Sequence, residues 1–214
     1  MRYLLISVLW MVCTSCALQT TKGLRQAPVK QAEVVNPYFS ETSIDYVYKA
    51  KIDVYGRYFG GILIVKKLSG TSHRVVFTTE FGSKIFDFLY EGDTFTKNFI
   101  LEDLDKKIVV NTLNKDFRLL ITEKVPVVEQ YASEKHNVYR TEAEGRYNFY
   151  FFRKGEETLE KLVHTSKHKE KVTIKFESLQ AAAKTSEENS IAEKISIAHN
   201  NIKLQIDLAY LIKD

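Results

Sequence analysis

Thiols are the most reactive groups this sequence could offer, and their placement restricts what they can do. The chain has two cysteines, Cys13 and Cys16, both in its opening segment. None follows Cys16, so neither a disulfide framework nor a Cys-rich metal site is available to the rest of the chain. A single thiol at the start of a processed chain can instead accept a thioether-linked lipid. Among five histidines, His164 and His168 are four apart, a spacing that on a helix would suit a metal. They straddle a strand end and the Ser166-Lys167 turn, where that spacing loses its meaning. His199 alternates with Ile195 and Ile197 and is expected to cap the inner face of a sheet. His73 and His136 stand at element edges. No Gly-x-Ser-x-Gly elbow, phosphate loop or dinucleotide fingerprint occurs. Carboxylates mostly alternate outward, and no pair is singled out as acid and base. The expectation is a non-enzyme with no metal and no cofactor.

The elements around Cys16 give it meaning. Arg2 begins the chain, residues 4–12 are almost unbroken apolar, and Thr14-Ser15-Cys16 follows. This is the order of a signal peptide, with a run too short for the roughly 20 residues that span a bilayer. Thr14-Ser15-Cys16 resembles the lipobox that bacterial lipoprotein signal peptidase reads, with Cys13 where Leu or Val is usual. A plain secretory signal with incidental cysteines is the competing reading. Residues 1–15 are thus expected to be a signal peptide, residues 16–40 a lipidated tether, and residues 41–214 one folded domain. The tether reading rests on Pro28, Pro37, Gly23 and many polar residues among few large apolar ones. Ala17-Leu18-Gln19-Thr20 carries no acid, which fits an outer-membrane protein facing the periplasm. The net charge of +4 is spread along the chain, so nucleic-acid binding is not expected.

Beyond the tether the dominant period is two, the mark of strands with one buried face. Ile44, Tyr46, Tyr48, Ala50, Ile52 and Val54 alternate with Asp45, Val47, Lys49, Lys51 and Asp53. Ile202, Leu204, Ile206, Leu208 and Tyr210 repeat the pattern near the C-terminus. Paired glycines, Gly60-Gly61, suggest a bend or a close backbone approach within a strand. The pattern breaks at residues 102–121, where Leu104, Ile108, Val109, Leu113 and Phe117 fall at helical spacing. Acids at its start and Arg118 near its end suit a helix dipole, although a strand at 108–110 competes. The fold expected is a curled antiparallel sheet of about ten strands with one buried helix inserted midway.

Twelve Tyr and thirteen Phe crowd these strands. They could fill a large core, or line an apolar groove able to hold acyl chains, formed by Tyr58, Ile62, Phe86, Phe88, Phe149 and Phe151. Several segments resemble the lipid-anchored outer-membrane receptors of the lipoprotein localisation (Lol) family, the LolA–LolB half-barrels. Tyr58-Phe59-Gly60-Gly61-Ile62-Leu63 is similar to the family's second strand and His73-Arg74-Val75-Val76-Phe77 to its third. Thr79-Glu80-Phe81-Gly82-Ser83-Lys84 resembles the loop that follows, and Glu91-Gly92-Asp93 the next turn. The resemblance implies a half-barrel, lipidation at Cys16, and acyl chains or lipidated proteins as ligands. It also implies a membrane-docking loop at Phe81 and Gly82. At such a turn tip, Phe81 is either folded back into the core or left exposed. A non-catalytic assembly lipoprotein that holds a protein partner on the same fold is the alternative.

Overall fold

The computed structural model describes residues 18–143, 145–156, 158–167, 169–178 and 191–211, so the expected signal peptide and Cys16 lie outside the described residues. In β3 (Asp45–Val54) the residues Tyr46, Tyr48, Ala50, Ile52 and Val54 are buried, while Asp45, Lys49, Lys51 and Asp53 are exposed. Alternation here does what it predicts, because successive strand side chains point to opposite faces. β4 (Arg57–Ser69), β5 (Ser72–Thr78), β6 (Lys84–Glu91) and β7 (Thr94–Ile100) continue as an antiparallel meander. Helix α1 (Lys107–Ile121) follows.

The second half of the sheet runs β9 (Glu129–Ala132), β10 (His136–Ala143), β11 (Arg146–Arg153), β12 (Thr158–Thr165), β13 (Glu170–Ser178), β14 (Ala192–His199) and β15 (Leu204–Tyr210). β15 pairs with β3 and joins the two halves. With β1 (Arg25–Ala27) on β9, the sheet has 13 strands, and β1 and β7 are its two edges. It is antiparallel throughout and open. β2 (Glu33–Val35) and β8 (Lys124–Pro126) form a separate two-stranded ribbon.

Three expectations need correction. The sheet exceeds ten strands because short pieces, β1 and β9, extend it at one edge. The stretch expected as a tether is part of the folded body from Leu18 onward. Val34, Tyr38 and Phe39 are core residues. Tyr38 stacks on Phe176 with ring centroids 4.7 Å apart and donates its hydroxyl to the Leu159 carbonyl at 2.8 Å. Adjacent aromatics in a polar stretch can bury more surface than the stretch's average composition suggests. Finally, the helix starts at Lys107 rather than 102. Asp103 and Asp105, expected at its first turn, bind Arg57 and Lys97 at 2.6 Å instead. Ile108, expected in the core, is 52 % exposed, whereas Leu113 and Phe117 are fully buried.

Candidate functional site

In a meander the turns alternate between the two ends of the sheet, and several features meet at one of these ends. The β3–β4 turn at Tyr55-Gly56 and the β5–β6 turn at 79–83 lie there. So does the β14–β15 turn, because the Tyr55 amide donates to the Lys203 carbonyl at 2.8 Å. α1 begins there, since β7 ends opposite the start of β6 and Asp103 meets Arg57 at the start of β4.

Phe81 is 98 % exposed. Its turn is closed from within by backbone groups. The Gly82 amide donates to the Thr79 carbonyl at 2.9 Å, and the Thr79 amide donates to the Ser83 carbonyl at 2.8 Å. The Ser83 amide donates to Thr79 Oγ1 at 3.1 Å. Gly82 sits at φ +86°, a conformation that costs glycine nothing and side-chain-bearing residues much more. A turn this tight leaves no apolar surface beneath the Phe81 ring, so of the two placements open to it the exposed one is adopted. Tyr55 is 52 % and Tyr58 62 % exposed, and with Ile108 they give this end four large uncovered apolar side chains. Tyr55 was not singled out from sequence, and Ile108 was expected in the core. The signal available was an aromatic beside glycine at a hairpin tip.

The six residues proposed to line a groove do not share a face. Phe86 and Phe88 lie on the inner face and stack at 4.6 Å, with Phe117 of α1 5.6 Å from Phe86. Both are fully buried, so the helix fills the concave side where they stand. Tyr58 and Ile62 alternate with buried Leu63 and Val65 and face outward. Phe149 and Phe151 also face away from that core and pack with Val138 and Val163, covered by Leu18 and Leu24. Strand parity explains the split: across the register, Tyr150 rather than Phe149 aligns with inward Leu162 and Ile174.

The interior carries titratable groups. His199 donates from Nδ1 to the Leu204 carbonyl at 2.9 Å, and its Nε2 is 3.0 Å from Asp116 Oδ1 on α1. Burial pushes the Asp116 carboxyl up. Burial, the largest single influence, would lower His199, but the bond to Asp116, the charge of that carboxylate and the Leu204 carbonyl together outweigh this and raise it. His164 Nδ1 meets Asn148 Oδ1 at 2.7 Å, and burial brings the imidazole down to about 4. His168 lies outside the described residues. Among the described residues no group of three or more His, Cys, Asp or Glu is arranged to hold a metal ion.

No family model and no curated relative matches the sequence. Comparison with solved structures finds a LolA superfamily protein from Nitrosomonas europaea, with TM-score 0.50 and 8 % identity over 83 % of this chain and 90 % of that one. The chain has a LolA-like fold. A domain from Vibrio parahaemolyticus, described as an outer membrane lipoprotein-sorting domain, overlaps less, with TM-score 0.41 and 10 % identity over 78 % of this chain and 82 % of that one. On the LolA-like fold, the open antiparallel sheet curls round one helix as the sequence led us to expect, with more strands. At 8 % identity the likeness is one of fold and leaves the activity open.

Proposed function

We propose that this chain is an outer-membrane lipoprotein, anchored through lipid on Cys16 and facing the periplasm. It receives acyl chains or lipidated proteins and helps to place lipoproteins in that membrane. The observation that carries this reading is the complete exposure of Phe81 on a rigid turn. The N-terminal segment reaches the same end of the sheet. Thr20 Oγ1 donates to Glu170 at 2.6 Å, and Glu170 begins β13 where it approaches the β14–β15 turn. A lipid four residues before Thr20 would hold that end toward the bilayer. Phe81 insertion would add roughly 1.5–3 kcal/mol, enough for transient docking.

An acyl chain would have to enter beneath the N-terminal part of α1. That end has no side-chain cap. The C-terminal part is fastened by Asp116 to His199 and by Arg118 to the carbonyls of Gly92 and Asp93.

The test is Phe81→Glu in the full-length lipidated protein. We expect its melting temperature to stay near wild type, since exposed substitutions usually change stability by less than about 0.5 kcal/mol. Transfer of a lipoprotein into outer-membrane vesicles should fall sharply. Normal transfer by the folded variant would refute the docking role. A filled concave side and an exposed edge strand, β7, favour a second reading, an assembly lipoprotein that holds a protein partner. Mass spectrometry of what co-purifies from membranes separates the two, as acylated cargo or as one stoichiometric protein.

A further inference from the structure

A cavity of about 530 Å³ lies on the outer face, between residues 19–24 and strands β11 to β14. Two of its lysines, Lys161 and Lys175, are direct cross-strand neighbours on β12 and β13. Like charges placed directly opposite one another weaken an antiparallel pair. A third lysine, Lys22, enters from the N-terminal segment, and Glu170 is the one acid among the described lining residues. Glu170 already accepts the Thr20 hydroxyl. Among the described residues, none makes an ion pair with Lys22, Lys161 or Lys175.

Lys161 is the most informative of the three. Its ammonium stands 3.9 Å from the centre of the Phe151 ring. Burial holds it below the usual lysine range, opposed by Glu170 and reinforced by Lys175. Three cations with one partly committed acid, in a partly enclosed space, form a site short of negative charge. The remaining wall is mixed, with Leu24, Phe151, Val163 and Ala198 beside Gln19, Thr20, Thr173 and Ser196. The volume falls within the roughly 300–1,000 Å³ common for small-molecule sites.

We propose that this cavity binds a phosphate-bearing amphiphile, its phosphate held between Lys161, Lys175 and Lys22 and its apolar part against Phe151 and Val163. The phosphate could belong to a soluble ester or to a phospholipid headgroup of the membrane beside which the N-terminal segment sits. This inference stands on the cavity alone and does not depend on the role of Phe81.

The full chain in neutral detergent micelles provides the test. Three probes are titrated: inorganic phosphate, micelles doped with phosphatidylglycerol, and micelles doped with phosphatidylcholine. Saturable phosphate binding supports a soluble ester, and preference for phosphatidylglycerol over phosphatidylcholine supports a lipid headgroup. The double variant Lys161→Gln, Lys175→Gln should lose affinity by about tenfold or more, since charge-assisted bonds to phosphate are removed. Lys175→Glu places opposite charges across the strand pair, so it should raise the melting temperature while abolishing binding. Absence of phosphate binding together with equal response to the two lipids would overturn the proposal. So would unchanged binding by either folded variant.

Discussion

His199 and Asp116 share a single proton, and the geometry says why. The Leu204 carbonyl can only accept, so His199 Nδ1 carries a hydrogen. The 3.0 Å contact between Nε2 and Asp116 Oδ1 then needs one more hydrogen, whichever atom owns it. Both groups titrate above their ordinary values in the folded chain. The folded pair therefore keeps its proton where an unfolded histidine, near 6.5, has begun to release one. Its stabilisation is fully present below about pH 6.5 and is lost as pH rises through the folded value. His164 acts in the opposite sense. Its folded value of about 4 lies below the unfolded one, so its contribution is present above pH 6.5 and fades as pH falls toward 4. Melting temperature followed from pH 4 to 9 should thus fall on both sides of a maximum near 6.5. Asp116→Asn, which can still bond to Nε2, should flatten the alkaline limb and deepen the acid limb, because burial then acts on His199 without an opposing charge. An alkaline limb unchanged in Asp116→Asn would show that other groups cause it. Asp116→Ala should cost roughly 1–3 kcal/mol in addition, because a buried ring nitrogen loses its partner.

At the scale of elements, the β4–β5 pair depends on one missing side chain. A Cβ built on Gly61 would stand 1.9 Å from the Thr78 carbonyl oxygen. That atom is backbone and cannot swing aside. Gly61→Ala should therefore push β4 and β5 apart locally and destabilise the fold by roughly 1–3 kcal/mol, whereas Gly60→Ala meets only the ring of Tyr58, at 3.2 Å. Chemical denaturation of the two variants distinguishes them, and equal stability would contradict the close approach. This constraint was legible in the sequence, because paired glycines in a strand rarely have another use. The long alternating strands β3 and β15 were legible for the same kind of reason. The short ones were not. β1, β2 and β8 are three residues each, too short for a period to repeat, and β8 ends on Pro126. Phe39 takes φ +63°, a choice imposed by its burial against Tyr46 and Tyr48 rather than by its residue type. The candidate groove failed at this scale too. Its aromatics were chosen one strand at a time, and only the register between strands decides which of them share a face.

For the whole molecule, four uncovered apolar side chains, Tyr55, Tyr58, Phe81 and Ile108, gather at one end of the sheet, and the N-terminal segment reaches that same end through Thr20 and Glu170. This arrangement could be seen only once the topology had placed residues 20, 55, 81, 108 and 170 at the same end of the sheet. If Cys16 is the anchor, Cys16→Ser should leave an unprocessed precursor and abolish fatty-acid labelling. Labelling that persists would move the lipid elsewhere. Protease added to intact cells should spare the wild-type protein if it faces the periplasm, and rapid shaving would reverse that orientation.

The edge strand β1 has a further consequence, for the order in which the chain can assemble. Arg25 pairs with Ala132 and Ala27 with Gln130, so the earliest strand has nothing to join until the middle of the chain exists. Contacts this distant in sequence form late, because the intervening loop must close before they stabilise anything. During synthesis the front of the chain is thus a loose leader. It can join the body only after β9 has emerged, and residues 18–24 can close over their face only after β11 to β14 have followed.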